Sequence, residues 1–214
     1  IPKRDWSSDV CSSDLMGVLN VTPDSFSDGG RYISFCAALD HAQQMISAGA
    51  TLIDVGGEST RPGAEPVSTD EEKRRVIPII EALVAQGALV SIDTSKPEVI
   101  RAALHAGAQM VNDVRALRSP GALEAAVEGS AAICLMHMQG DPTDMQRSPT
   151  YRNVVDEVAA FLVERVAACL QAGVGRDRLL VDPGFGFGKT VEHNLELLRG
   201  LPRIMTATGV PVLA

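Results

Sequence analysis

The sequence has few cysteines, few aromatic residues and no long apolar segment. Its 214 residues include four cysteines, one tryptophan and two tyrosines. The cysteines form no Cys-x-x-Cys pair, which argues against a metal cluster, and three of them lie in apolar periodic segments typical of free thiols in a reducing cytosol. No apolar run approaches the roughly 18 residues of a membrane span, and no secretory signal is visible. We therefore expect a cytoplasmic protein that does not bind membranes.

An excess of positive charge is also absent. Lys and Arg number 19 against 27 Asp and Glu, which gives a net charge of −8. This balance argues against nucleic acid as the main partner. It leaves room for a small anionic substrate, because a pocket can be locally basic on an acidic protein. With 45% apolar residues, the chain can bury a sizeable core as one domain.

Strand-like apolar runs alternate with helical stripes from Met16 onward. The predicted strands are 16–19, 51–55, 88–93, 109–113, 131–137, 179–182 and 210–214. The predicted helices lie between them, at 34–48, 68–86, 97–106, from 119, 151–172 and 191–204, the last one broken near Pro202. Ser68-Thr-Asp-Glu71 is a capping box, so we predict Ser68 as the N-cap of the second helix. Near-continuous apolar strands separated by helices favour a parallel sheet with both faces covered.

A doubly wound sheet and a (β/α)8 barrel both agree with this alternation. Two observations favour the barrel: no Gly-rich nucleotide fingerprint follows the first strand, and polar residues close nearly every strand. These residues are Asn20, Asp54, Asp93, Asn112, Asp113, His137 and Asp182. All strand ends of a barrel converge on one mouth. We predict an α/β fold of the (β/α)8 TIM-barrel type that is incomplete here, with strands 1 to 7 and without the last βα units.

Residues 1–15 do not share this alternation. Their apolar residues follow neither the two-residue period of a strand nor the 3.6-residue period of a helix. They repeat the triplet Ser-Ser-Asp at 7–9 and 12–14, as a translated cloning or sequencing-adapter scar would. We predict that 1–15 form a non-native or disordered leader and that 16–214 form the partial barrel. The genomic reading frame upstream of Met16 tests this division.

Five segments carry most of the chemistry: NVTPDSFSDGG at 20–30, GGESTRPGA at 56–64, IDTSKPEVI at 92–100, MHMQG at 136–140 and DPGFGFGK at 182–189. The last segment is not a Walker A loop, because that motif needs Gly at position 183, which is Pro. It is not a dinucleotide fingerprint either, because that motif needs Gly at position 189, which is Lys. In this order, from Met16 to the terminus, the segments resemble the dihydropteroate synthases, a family of pterin-binding TIM barrels.

This resemblance implies a transferase of folate biosynthesis and a sulfonamide target. The implied reaction condenses 6-hydroxymethyl-7,8-dihydropterin diphosphate with p-aminobenzoate to give 7,8-dihydropteroate and diphosphate. It also implies Mg²⁺ as the cofactor, small molecules as the substrates and a homodimer as the assembly. Two alternatives stay open, namely a pterin-binding methyltransferase domain and a non-catalytic barrel fragment.

The resemblance assigns roles to residues as well. It makes Asp93, Asn112 and Asp182 the catalytic, pterin-binding set and Asn20 the ligand of Mg²⁺ on the diphosphate. The other implied substrate-binding residues are Thr60, Arg61, Pro62, Phe26, Phe187 and Met136. The residue types suit the ligands. Carboxylates accept hydrogen bonds from pterin N–H groups, the Asn amide can both donate and accept hydrogen bonds, and an amide oxygen is a suitable ligand for Mg²⁺.

Simpler structural roles are open for several polar residues. By itself Asn20 would form a turn at a strand end, and we expect Asp54 to cap the backbone of its own loop. Asn112 and Asp113 are adjacent, so only one of them can face the mouth. The resemblance points to Asn112, and we expect Asp113 either to support the site from behind or to cap a loop. We expect His137 to be a hydrogen-bonded residue rather than a base. We expect Lys96 and Lys189 to be solvated.

The family also carries cationic segments on its seventh and eighth strands that this sequence, ending at Ala214, does not contain. These segments supply a lysine to the pterin and cations to the diphosphate. The resemblance therefore implies that the 214-residue chain alone is nearly inactive.

Overall fold

The computed structural model describes residues 14–21, 30–59, 65–141, 145–146 and 148–214. Strands and helices alternate along this part of the chain. The strands are β1 (Leu15–Asn20), β2 (Ala50–Gly56), β3 (Leu89–Asp93), β4 (Met110–Asp113), β5 (Ala132–Met136) and β6 (Leu179–Asp182). The helices are α1 (Gly30–Ser47), α2 (Thr69–Ala85), α3 (Pro97–His105), α4 (Ala122–Val127), α5 (Val154–Gln171) and α6 (Val191–Thr208), with a short 3-10 helix at Arg176–Arg178.

The six strands form one parallel sheet whose spatial order equals the chain order, β1-β2-β3-β4-β5-β6. A doubly wound sheet reverses its strand order at a switch point, and this sheet does not. Val212 forms a parallel bridge with Val181 of β6, so the predicted seventh strand begins at the correct edge. These features confirm the incomplete barrel rather than the doubly wound alternative.

Local sequence signals explain most helix boundaries. The Ser68 hydroxyl accepts a hydrogen bond from the Glu71 N–H at 3.3 Å, as the predicted N-cap of α2 requires. The predicted break at Pro202 is wrong, because α6 continues to Thr208. Proline removes one helical hydrogen bond, but Leu197 and Ile204 on either side of it are fully buried. Their packing holds the helix together across Pro202.

The two faces of the sheet differ in character. On each strand from β2 to β6, alternate residues join one apolar cluster with residues of the helices. These strand residues are Ile53, Val55, Val90, Ile92, Val111, Ile133, Leu135, Leu179 and Val181. The residues between them point to the opposite face, which is the interior of the barrel, and many are polar. Within the described residues, no helix is long and apolar enough to cross a bilayer.

Candidate active site at the carboxyl ends of the strands

One row of paired positions brings the predicted site residues together. Asn20 pairs with Gly56, Gly56 with Asp93, and Asp93 with Asn112. Paired residues of parallel strands point to the same face, so these side chains share the interior at the carboxyl ends of four strands. Asp182 pairs with Met136 on the next two strands. The structure thus gathers five predicted site residues at one mouth.

Gly56 lies in the middle of this row and leaves space there. A Cβ atom at Gly56 would lie 3.3 Å from Asn20 Oδ1 and 3.5 Å from Asp93 Oδ2. Any larger side chain would therefore press on both oxygens. Because position 56 has no side chain, the exposed Asn20 amide and the Asp93 carboxylate remain accessible from the mouth.

Asp54 belongs to the interior and does not cap its own loop, so that expectation is wrong. Its register partner is Ser91, and its Oδ2 accepts a hydrogen bond from Asn112 Nδ2 at 2.9 Å. Burial raises the pKa of Asp54, while the nearby Ser91 hydroxyl and Asn112 amide act in the opposite direction. The amide of Asn112 is thereby oriented, with Nδ2 toward Asp54 and Oδ1 free to accept a hydrogen bond.

Three buried polar atoms in this interior have no hydrogen-bond partner among the described residues: Asp54 Oδ1, Ser91 Oγ and Asn112 Oδ1. Buried polar atoms are nearly always paired in folded proteins. Ser91 is the register partner of Asp54 and its hydroxyl lowers the pKa of that carboxyl, so these two groups interact with each other. Asn112 Oδ1 is then the buried acceptor that a polar ligand at the mouth would satisfy.

Asp93 sits among other carboxylates. Its pKa is raised well above the usual range, first by burial and then by repulsion from Asp54, Asp113, Glu72 and Glu58. A ligand that donates hydrogen bonds or carries positive charge would relieve this repulsion. The site therefore favours a donor-rich or cationic group next to Asp93.

Asp182 lies at the end of β6, where the Gly-rich loop 183–189 begins. Its Oδ1 accepts a hydrogen bond from the Gly184 N–H at 2.6 Å. Burial raises the pKa of Asp182 to about 6, although the Gly184 hydrogen bond and the charge of Lys189 act against this rise. Gly184 has φ +71°, and a Cβ there would collide with the His137 carbonyl oxygen. Only glycine allows the loop to approach the end of β5 so closely.

An apolar wall adjoins Asp182. Met136 packs in a small cluster, separate from the main core, that also includes Val114, Met138 and Met145, with Phe187 against it. Met136 and Phe187, the two apolar residues predicted to contact substrate, thus belong to the same cluster. Such a surface suits the face of a flat heterocycle.

Lys189 is buried, so the expectation that it is solvated is wrong. It is 3% exposed, and its Nζ lies 3.1 Å from His137 Nδ1. Burial lowers the pKa of Lys189 to about 7 and that of His137 to about 3, with the Lys189 charge as the next cause for His137. His137 is therefore neutral and hydrogen-bonded, which confirms the prediction for that residue.

Lys96 is also not simply solvated. It forms ion pairs with Glu58, just after β2, and with Glu72 of α2, which is 1% exposed. Thr94 Oγ1 donates to Glu72 Oε1 at 2.6 Å. Partial burial acts to lower the pKa of Lys96, but the hydrogen bonds to both glutamates outweigh it and raise that pKa. The sequence did not reveal this cluster, because Glu72 resembles an ordinary first-turn acid of a helix.

Asp113 points away from the interior, as predicted. Its Oδ1 accepts hydrogen bonds from the Ser95 hydroxyl and from the Arg115 N–H, and its Oδ2 accepts one from the Leu117 N–H. These bonds hold a tight turn in which Ala116 and Leu117 have positive φ. Asp113 therefore caps the loop after β4, while Asn112 faces the mouth.

The remaining predicted substrate residues lie outside the described part of the chain. They are Phe26, Thr60, Arg61 and Pro62. Across the described ranges, no group of three or more His, Cys, Asp or Glu side chains could hold a metal ion.

Comparison with known families adds an independent finding. The family model described as "Pterin binding enzyme" matches residues 16–214. The chain is 55% identical over 196 residues to the dihydropteroate synthase of Escherichia coli (strain K12), a match that covers 91% of this chain and 70% of that protein. It is 48% identical over 207 residues to the dihydropteroate synthase of Haemophilus influenzae, covering 96% and 75%.

Solved structures agree. A dihydropteroate synthase of Xanthomonas albilineans with 4-aminobenzoic acid has a TM-score of 0.87 at 55% identity, covering 94% of this chain and 71% of that one. The same enzyme in complex with 7,8-dihydropteroate has a TM-score of 0.83 at 51% identity, with the same coverage. A Yersinia pestis dihydropteroate synthase with a sulfonamide drug has a TM-score of 0.89 at 49% identity, covering 99% and 77%.

Proposed function

Since the chain belongs to the pterin-binding enzymes and, within them, to the dihydropteroate synthases, we propose that Asp93, Asn112 and Asp182 bind the pterin at the mouth of its barrel. The activity is that of a transferase, which moves the pterin-methyl group to p-aminobenzoate in folate biosynthesis. Neither the methyltransferase nor the non-catalytic alternative is favoured by the relatives. A solved relative holds a sulfonamide drug, so sulfonamides are the inhibitors to test.

The observation that carries this proposal is the shared row of Asn20, Asp93 and Asn112, with Asp182 beside it on the same interior face. A pterin presents N–H donors next to ring and carbonyl acceptors. Asp182 and Asp93 supply acceptors for the donors, and the free Oδ1 of Asn112 supplies another. Met136 and Phe187 would then flank the ring.

The chemistry asked of these residues is positioning and charge stabilisation. The nitrogen of p-aminobenzoate forms a bond to the pterin methylene carbon, the bond from that carbon to the diphosphate oxygen breaks, and the amine proton passes to water. Positive charge develops on the pterin methylene as diphosphate departs. The carboxylate of Asp182 favours that charge, and so does Asp93 once the bound pterin donors relieve the repulsion that raises its pKa. No covalent nucleophile is required.

Residues of the two loops outside the described ranges complete the proposal. Thr60 would contact the diphosphate. Phe26, Arg61 and Pro62 would contact p-aminobenzoate. Glu58 connects described residues on both sides of 60–64, because its carboxylate accepts hydrogen bonds from Lys96 and from the Val67 N–H.

Asn20 fits the role of the Mg²⁺ ligand. It offers an exposed amide oxygen at the end of β1, next to the space that Gly56 leaves open. Mg²⁺ usually takes one or two protein oxygens together with water and substrate phosphate, so a single amide suffices. When bound, the ion would neutralise charge on the departing diphosphate.

The finer expectations about cell location and assembly are also proposals. Cys36, Cys134 and Cys169 are free thiols, which supports a reducing cytoplasm. The homodimer is tested by light scattering of the purified chain, which distinguishes a mass of one chain from that of two.

Calorimetric titration with the pterin diphosphate tests the site without depending on turnover. Asp182→Asn keeps the size and shape of the side chain but replaces one carboxylate oxygen with an NH₂ group, which would face the N–H donors of the pterin. This variant should weaken binding of the pterin diphosphate by roughly 10- to 100-fold. The matched control is Lys73→Met, which changes a partly exposed residue of α2 that pairs with the exposed Asp70; this variant should bind as the parent does. Equal binding by both variants would refute the assignment. Formation of 7,8-dihydropteroate together with diphosphate tests the reaction itself.

A further inference from the structure

Lys189 has an unusual environment for a lysine. Its side chain is buried, yet no carboxylate of the described residues forms an ion pair with it. Its Nζ instead lies 3.1 Å from His137 Nδ1, 3.3 Å from the His137 carbonyl oxygen and 2.9 Å from the Phe187 carbonyl oxygen. An ammonium group has three N–H donors, and here three acceptors surround it.

These acceptors belong to two different segments. His137 directly follows β5 and Met136, whereas Phe187 lies in the Gly-rich loop after β6. The loop is held on the same surface by Tyr151, whose hydroxyl donates to the Gly188 carbonyl at 2.9 Å. Lys189 is thus the buried polar link between the end of β5 and the loop.

The His137 ring is suited to accept from Lys189. Its centroid lies 5.0 Å from that of Phe161 in an edge-on arrangement and 6.1 Å from that of Tyr151. With the pKa of His137 at about 3, the ring stays neutral, and in its Nε2–H tautomer Nδ1 accepts a hydrogen bond from Lys189. The link therefore does not depend on the protonation of His137 near neutral pH.

Lys189 also acts on Asp182 through its charge. Burial and the negative charge of Asp54 on β2 raise the pKa of Asp182, whereas the Gly184 N–H and Lys189 lower it. The Cys134 thiol of β5 also faces this carboxylate, and its own pKa is raised by burial and by Asp182. Among these groups, Lys189 is the only cation near Asp182.

We propose that Lys189 is a positioning residue of the pterin site. Its ammonium group joins the end of β5 to the Gly-rich loop, whose Gly184 N–H donates to Asp182 Oδ1, and its charge adds to that hydrogen bond in favouring the ionised carboxylate that accepts pterin N–H groups. This rests on the proposed role of Asp182, but it concerns a side chain that does not itself contact the pterin.

Two variants of the full chain separate the two effects. Lys189→Met removes both the hydrogen bonds and the charge, while Lys189→Gln keeps donors and removes the charge. Carboxyl ¹³C NMR should show the Asp182 titration midpoint rising by about half a pH unit or more in both variants. Amide hydrogen exchange in 183–189 should accelerate roughly tenfold in Lys189→Met and much less in Lys189→Gln. Lys73→Met should match the parent in both measurements.

Pterin binding provides the third measurement. In Lys189→Gln, affinity should fall at pH 6 and recover by about pH 8, following the Asp182 midpoint, and in Lys189→Met it should stay below the parent at both pH values. An unchanged midpoint with unchanged exchange overturns the proposal even if no ligand binds. Unchanged affinity in both lysine variants overturns it too, provided that Asp182→Asn weakens binding. If Asp182→Asn has no effect, the proposed function fails instead.

Discussion

Replacing Lys96 with Met would leave Glu72 without a cation inside the protein. The Glu72 side chain is 1% exposed, and its remaining partner is the Thr94 hydroxyl. Removing one partner of a buried ion pair typically costs about 3–5 kcal/mol of unfolding free energy. The second pair adds little, because the Glu58 side chain is 33% exposed and exposed pairs contribute about 0–1 kcal/mol. Since Lys96 itself is partly exposed, we expect a loss of about 3 kcal/mol.

Urea unfolding followed by circular dichroism measures this loss as a lower midpoint with an unchanged slope. The double variant Lys96→Met/Glu72→Gln removes the uncompensated charge, so it should recover about half of the loss, and the two sites should show a coupling of about 1–2 kcal/mol. The control Lys73→Met breaks an exposed pair on α2 and should change stability by less than about 1 kcal/mol. A loss below about 1 kcal/mol in Lys96→Met, or additive effects in the double variant, would refute the reasoning.

Three further predictions concern the mouth. Because Asp182 has a pKa of about 6 against 3.8 for an ordinary Asp, the folded state holds its proton more tightly, so the contribution of Asp182 to the unfolding free energy should fall as pH rises from about 4 to about 6. His137, whose pKa is lowered to about 3, acts in the opposite direction over this range, so the measurement is the unfolding free energy of the parent minus that of Asp182→Asn, which should fall from about pH 4 to about pH 6 in urea titrations; a constant difference would refute the raised pKa. Gly56→Ala should weaken calorimetric binding of Mg²⁺ and the pterin diphosphate by roughly tenfold with little loss of stability, because its Cβ would contact Asn20 and Asp93; parent-like binding would contradict the proposed space. Gly184→Ala should lower the unfolding free energy by about 1–3 kcal/mol, because φ +71° and the His137 carbonyl both oppose a side chain; unchanged urea midpoints would show that the loop moves freely.

Residues that are close together in the sequence were enough to predict many local features of the fold. Two-residue alternation in a strand was enough to predict that only one of Asn112 and Asp113 faces the mouth, because adjacent strand residues point to opposite faces. The resemblance to the family pointed to Asn112. The Ser68 cap of α2 depends on residues only three apart, and it too was predicted. The alternation of strands and helices limited the fold to two classes, and the ordered motifs indicated the family.

Long-range packing decided the rest. Lys96 and Lys189 look like surface residues in the sequence, because their partners lie far away along the chain: Glu58 is 38 residues from Lys96, and His137 is 52 residues from Lys189. Asp54 looked like a loop cap, but pairing of β2 with β3 and of β3 with β4 places it within hydrogen-bond distance of Asn112, which is 58 residues away. The continuation of α6 through Pro202 likewise depends on the burial of Leu197 and Ile204. A sequence states which groups can carry charge or donate hydrogen bonds, but only the folded chain determines which of them lose water and which partners replace it.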